Sequence, residues 1–237
     1  MAHPIDKKYY IDRKAELIKK FEENLRQCSP FIFAPYGEIN AFRIIQETRK
    51  TFEELIPQIP YIGGDENNLT RNLIASVSSL ALYQAMKKHG KTAEETGKVL
   101  YNAILTQIGK PRLSIQPHEI LTPEQLDERR KKDAERSQER RYPDDFVYTY
   151  IVGNGKKFDH GYDFTKCAVL EFYHSQDADE FMPFFCYLDF PINKVNGTGF
   201  SRTMTISEGA EKCNHRIKIG GETKVEWPPP FLKRKKK

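Results

Sequence analysis

Apolar residues recur at helical spacing through the first half of the chain and cluster like strands after Pro143. Over residues 12–26, Leu17, Ile18, Phe21 and Leu25 share one face of a charged segment, which predicts an amphipathic helix ended by Pro30. Residues 39–56 repeat the pattern with Phe42, Ile45, Phe52 and Leu55, and Pro57 stops it. Residues 60–65 combine Pro and Gly and read as a loop. Over residues 69–88, Leu73, Ile74, Val77, Leu80, Ala81 and Leu82 form a band too wide for a surface helix, which predicts a central packing helix closed by Gly90. Thr92 and Glu95 form a capping box for a further helix that buries Val99, Leu100, Ala103, Ile104 and Ile108 on one face, stopped at Gly109-Lys110-Pro111.

Thr122, Pro123 and Gln125 are the cap, first-turn proline and third position of another helix, about residues 123–141. In that segment 12 of the 15 residues 127–141 are charged, which predicts a solvated helix held by pairs such as Glu128–Lys132 rather than a binding arm. Residues 146–152 are aromatic and β-branched and predict a strand, followed by an Asn154-Gly155 turn. Residues 164–174 and 180–190 read as two short helices, and residues 200–206 and 213–219 as strands joined near Gly209. Helices first, then a small sheet with inserted helices, is an α+β order: N-terminal helices packed with a small antiparallel sheet. The expectation is a single domain over 1–237, with its core at 39–219 and a disordered basic tail at 231–237.

Lys and Arg total 38 against 33 Asp and Glu, a surplus of five that the last five residues supply alone. The remaining body is balanced, which argues against nucleic acid as a partner, because phosphate contacts need a basic face. No window of 18 uncharged apolar residues occurs, so no membrane span is expected. Four cysteines without an apolar leader point to the cytoplasm. There is no C-x-x-C, no glycine-rich phosphate loop and no serine-hydrolase elbow. The expectation is a small-molecule substrate and no cofactor or metal; a homo-oligomer is compatible with it.

Residues 180–190 place Cys186 and Asp189 on one helical face among Phe184, Phe185, Tyr187 and Phe190. An acid in such a run needs a cation, hydrogen bonds or a cleft. On the strand 200–206, Arg202 alternates with Phe200 and Met204, so it lies on the apolar face and demands an anion, either Asp189 or a substrate carboxylate. Thr203 and Thr205 fall on the opposite face. Cys213 and His215 share a face of the last strand. With Cys186 they form either a thiol–imidazole site or buried structural thiols. A metal site from Cys167, Cys186, Cys213 and His215 is disfavoured, because no close ligand pair exists.

The ordered series Asp163…Cys167, Cys186-x-x-Asp189, Arg202-Thr203-x-Thr205…Gly209 and Cys213-Asn214-His215-Arg216 resembles the L-2-amino-thiazoline-4-carboxylic acid hydrolase family over roughly residues 39–219. The helix 67–84, Gly90 and residues 92–101 are also similar to that family. The chain departs from the pattern at Asn214-His215, where the family often has an acid followed by an aromatic. The resemblance implies hydrolytic opening of a cyclic isothiourea to an N-carbamoyl amino acid. It further implies a site with Arg202 and His215 as substrate-binding groups and Cys186, Asp189 and Cys213 as catalytic groups. A weaker likeness to 4-vinyl-reductase-type domains implies a non-catalytic ligand-binding or sensor module.

Overall fold

The computed structural model describes residues 4–109 and 122–234. After α1 (Pro4–Asp12), α2 (Lys14–Leu55) folds back on itself at Gly37, whose φ of 71° and ψ of 167° suit only a residue without Cβ. The two arms run antiparallel. Phe21 stacks on Phe52 with ring centroids 4.1 Å apart, and Glu22 pairs with Arg49 at 2.7 Å. The first arm does not end at Pro30, as its sequence predicts, but passes through Pro30 and Pro35. Burial of Cys28 and Ile32 on its inner side outweighs the missing amide donors.

The predicted central helix is α3 (Thr70–Lys88), in which Leu73, Val77, Leu80 and Ala81 are fully buried. The capping box of Thr92 and Glu95 starts α4 (Ala93–Leu105), which ends short of the stop expected at Gly109-Lys110-Pro111, so that Ile108 lies outside the helix and is exposed; Lys110 and Pro111 lie outside the described residues. A second capping box, Thr122 with Gln125, starts α5 (Pro123–Gln138). This helix is not merely solvated. Its inner side seals the edge of β1 (Val147–Val152): Ser137 Oγ accepts the Tyr148 amide at 3.1 Å and Gln138 Nε2 donates to the Tyr148 carbonyl at 2.7 Å. The pairs along it are Asp127–Arg130 and Asp133–Arg136, three residues apart.

With β2 (His160–Lys166), β3 (Thr198–Ser201) and β4 (Cys213–Ile219), β1 forms an antiparallel sheet in the order β1-β2-β4-β3. Phe164, expected to open a helix, instead pairs with Tyr148 and Cys213 within the sheet, and α6 (Ala168–Ser175) begins after it. Residues 180–190 are broken at Leu188 into α7 (Met182–Tyr187) and α8 (Asp189–Val195). The strand expected over 200–206 starts earlier and ends at Ser201. There Asn214 Oδ1 accepts the amides of Thr203 and Met204, at 2.9 and 2.8 Å, and draws the chain off the ladder. The register turns Tyr148, Tyr162, Phe164, Cys213, His215 and Phe200 to one face and Asp163, Arg216 and Lys218 to the other.

The architecture is α+β: long N-terminal helices packed with a four-stranded antiparallel sheet and interspersed short helices. Its buried cluster is wider than 39–219, running from Tyr10 to Phe231. The tail expected to be disordered from Phe231 onward begins within α9 (Pro230–Arg234), where Phe231 is buried against Phe184. Lys235–Lys237 lie outside the described residues. Among the described residues no helix is long and apolar enough to cross a membrane.

Candidate functional site

The residues singled out in the sequence converge where α7, α8 and the end of β3 meet. The break at Leu188 exposes the last carbonyls of α7 and starts α8 with an acid, and Arg202 bridges the two. Its Nη1 donates to Asp189 Oδ2 at 2.6 Å and its Nη2 to the Cys186 carbonyl at 2.8 Å. The guanidinium carbon lies 5.7 and 5.9 Å from the ring centroids of Phe190 and Phe200. Arg202 is thus buried, as its alternation with Phe200 predicts, although the strand ends one residue before it. A fork with two acceptors between two rings is the setting in which guanidinium tolerates burial.

His215 comes from β4 into the same cluster. Its Nε2 is 3.4 Å from Arg202 Nη1 and 3.9 Å from Asp189 Oδ2, and its ring lies between those of Phe164 and Phe200. Burial pushes its pKa down to about 4, against the pull of Asp189, so the imidazole is neutral. An unprotonated Nε2 facing the guanidinium suits that state.

The thiols lie behind this cluster. Ser207 Oγ donates to Cys186 Sγ at 3.4 Å and lies 3.0 Å from Thr205 Oγ1, to which Cys213 Sγ donates at 3.5 Å. The amide of Ile206 donates to Cys213 Sγ at 3.2 Å. Burial pushes the Cys186 thiol up to about 11, despite Arg202, and Cys167 up to about 12. Thr205, expected on the opposite strand face, therefore turns toward a thiol, because the chain has already left the strand. Among the described residues no group of three or more His, Cys, Asp and Glu side chains could hold a metal ion.

Asp189 lines a cavity of about 300 Å³ between α3, α4, the α7–α8 joint and the two arms of α2, the second of which adds Thr48. The first three contribute stripes at helical spacing: Ala75, Ser78, Ser79 and Leu82 from α3, Leu100, Ala103 and Ile104 from α4, and Phe185, Leu188, Asp189 and Ile192 from α7 and α8. The first arm of α2 adds Phe21, Leu25 and Cys28, with Asn24 and Gln27 at the exposed rim. Small residues on α3 and α4 leave the space, as in other ligand sites within helical bundles. Asp189 is the charged side chain among the lining residues. Arg202 occupies its Oδ2.

Of the five residues expected to form a site, Asp189 alone lines this cavity. Cys186, Cys213, Arg202 and His215 stand behind it as a connected cluster. The helical walls were not expected; their signal was the run of small residues Ala75, Ser76, Ser78 and Ser79 within an otherwise apolar helix.

The searches of curated proteins and of solved structures returned no match. The family model described as L-2-amino-thiazoline-4-carboxylic acid hydrolase matches residues 70–217, from the start of α3 to the β4 strand that carries Cys213 and His215. That span holds the cavity walls on α3 and α4, Asp189, and the whole Arg202–His215–thiol cluster behind it. The chain belongs to the L-2-amino-thiazoline-4-carboxylic acid hydrolase family.

Proposed function

We propose that this protein is a hydrolase that opens the ring of a cyclic amidine or isothiourea held in the helical cavity. The observation that carries the reading is Asp189: the charged side chain among the described residues that line a largely apolar helical cavity, held by Arg202 at 2.6 Å. An amidine ring is cationic when protonated, and a carboxylate is its natural partner. Asp189 Oδ1 then takes a proton from a water as its oxygen bonds to the ring carbon between nitrogen and sulfur. The carbon–sulfur bond breaks next, Asp189 returns the proton to the leaving sulfur, and the remaining O–H proton, equivalent to the one the cationic ring brought, is released to solvent. Water is consumed, a thiol is released, and the former ring carbon becomes a urea carbonyl, so a ring carrying a carboxylate gives an N-carbamoyl amino acid. In this reading Asp189 is the catalytic residue, Arg202 and His215 position it, Cys186 is a packing group whose thiol burial pushes up to about 11, and Cys213 packs with it.

Mass-spectrometric turnover of a panel of cyclic amidines and isothioureas tests the reading. Positioned acid–base groups contribute about 10²–10⁴-fold to rate, so Asp189→Asn should reduce turnover by at least the lower figure. Full activity in that variant would sink it. The closed ion pair behind the cavity favours a second reading, a ligand-binding module without catalysis. Saturable binding with no product from any member of the panel would select that one.

A further inference from the structure

With Asp189 at the cationic part of a bound ring, a carboxylate on the same ring must lie away from it. Like charges repel, and an ionised carboxylate is costly to strip of water against apolar walls. The exposed rim on the first arm of α2 meets both demands, and there Asn24 and Gln27 line the cavity. They stand three residues apart, on one side of the helix. Their neighbours fix how that arm is turned: Phe21 stacks on Phe52 at 4.1 Å, Glu22 accepts two hydrogen bonds from Arg49 at 2.7 and 3.1 Å, and Leu25 and Cys28 are buried. The two amides therefore hang at the mouth from an anchored backbone. Each carries two N–H donors, which suits an anion that is to be held while it keeps part of its water. Thr48, on the other arm, already spends its hydroxyl on the Ile44 carbonyl at 2.7 Å.

We infer that Asn24 and Gln27 form the subsite for the ring carboxylate and so set which ring substituent this protein accepts. The inference rests on the reading of this cavity as the ring-opening site. Both residues precede the span 70–217 matched by the family model. The N-terminal hairpin thus carries this part of the specificity, while the matched span carries Asp189 and the cluster that positions it.

Isothermal titration of the full chain with 2-amino-2-thiazoline-4-carboxylate and with 2-amino-2-thiazoline tests it. The ratio of the two Kd values isolates the carboxylate, because the amidine ring is common to both. Asn24→Ala combined with Gln27→Ala should shift that ratio about tenfold against the carboxylate ring, the size expected of hydrogen bonds to a charged group. Gln27→Lys should shift it about threefold toward the carboxylate ring, and Gln27→Glu about threefold against it, at low salt. Both positions are exposed, and urea midpoints close to wild type check that the variants fold. A ratio unchanged in the double variant would overturn the inference and leave the ring-opening reading standing. Binding of neither ring by the wild-type protein would overturn that reading and the inference with it.

Discussion

Arg202 and Asp189 are held 2.6 Å apart across the joint between α7 and α8, and the arginine side chain is 7% exposed against 37% for the aspartate. The pair therefore has a buried end and an end that faces the cavity. Arg202 also ties down the Cys186 carbonyl, so one side chain fixes both the end of α7 and the first residue of α8.

Arg202→Ala should destabilise the fold by about 3–5 kcal/mol, because it strips a partly buried carboxylate of its partner and leaves a carbonyl unsatisfied. Arg202→Lys keeps the charge but cannot reach both acceptors with one fork, so it should recover only part of the loss. Urea denaturation measures both. A wild-type midpoint in Arg202→Ala would show that the pair contributes nothing.

Ser79→Leu places a larger apolar side chain on the α3 wall of the cavity. Ligand binding should fall at least tenfold, while stability holds or rises by about 0.5–2 kcal/mol, as cavity filling commonly gives. Retained binding would place the ligand elsewhere.

Burial holds the pKa of His215 at about 4, below the 6.5 of an exposed imidazole. The unfolded chain therefore takes up its proton first as pH falls, and the folded state loses stability between pH 6.5 and about 4. The slope attributable to one such group is on the order of 1 kcal/mol per pH unit. Denaturation at several pH values should show a shallower acid slope for His215→Gln than for the wild type. Parallel slopes would exclude His215 as their source.

Iodoacetamide at neutral pH should leave Cys28, Cys167 and Cys186 largely unmodified in the native protein, since burial pushes these thiols up to about 12, 12 and 11. Labelling should proceed in denaturant. Rapid native labelling of Cys186, with parallel loss of turnover, would return the nucleophile's role to that thiol.

Phe231→Ala should cost about 1.5–3 kcal/mol, because the ring is buried against Phe184 and Tyr187 near the C-terminus. Thermal melts of this variant and of a chain lacking residues 235–237 separate the two parts of the basic tail. An unchanged midpoint for Phe231→Ala would restore the expectation of a tail that does not pack.

Local signals in the sequence were sufficient for elements whose partners lie close along the chain. Thr92 with Glu95 and Thr122 with Gln125 start helices because a cap and its third residue satisfy each other's amides. The apolar band of α3 and the alternation through Cys213 and His215 were legible for the same reason: burial imposes a period of 3.6 or 2. Alternation also marked Arg202 as a buried cation, and helical spacing set Cys186 and Asp189 on one face, so the cluster around Asp189 could be assembled from residue types alone.

Long-range packing decided the rest. Phe164 became part of a strand because Tyr148 and Cys213 flank it, and no local preference of residues 164–174 encodes those neighbours. Pro30 failed to end its helix because Ile32 beyond it is wholly buried, a gain that exists only once the hairpin closes at Gly37. The cavity is the clearest case. Ala75, Ser78 and Ser79 read as unremarkable small residues until other helical segments face them, because a void belongs to the space between elements and not to any one of them. Which end of the Arg202–Asp189 pair met that void was likewise set by the break at Leu188, where one helix stops and the next begins with the acid.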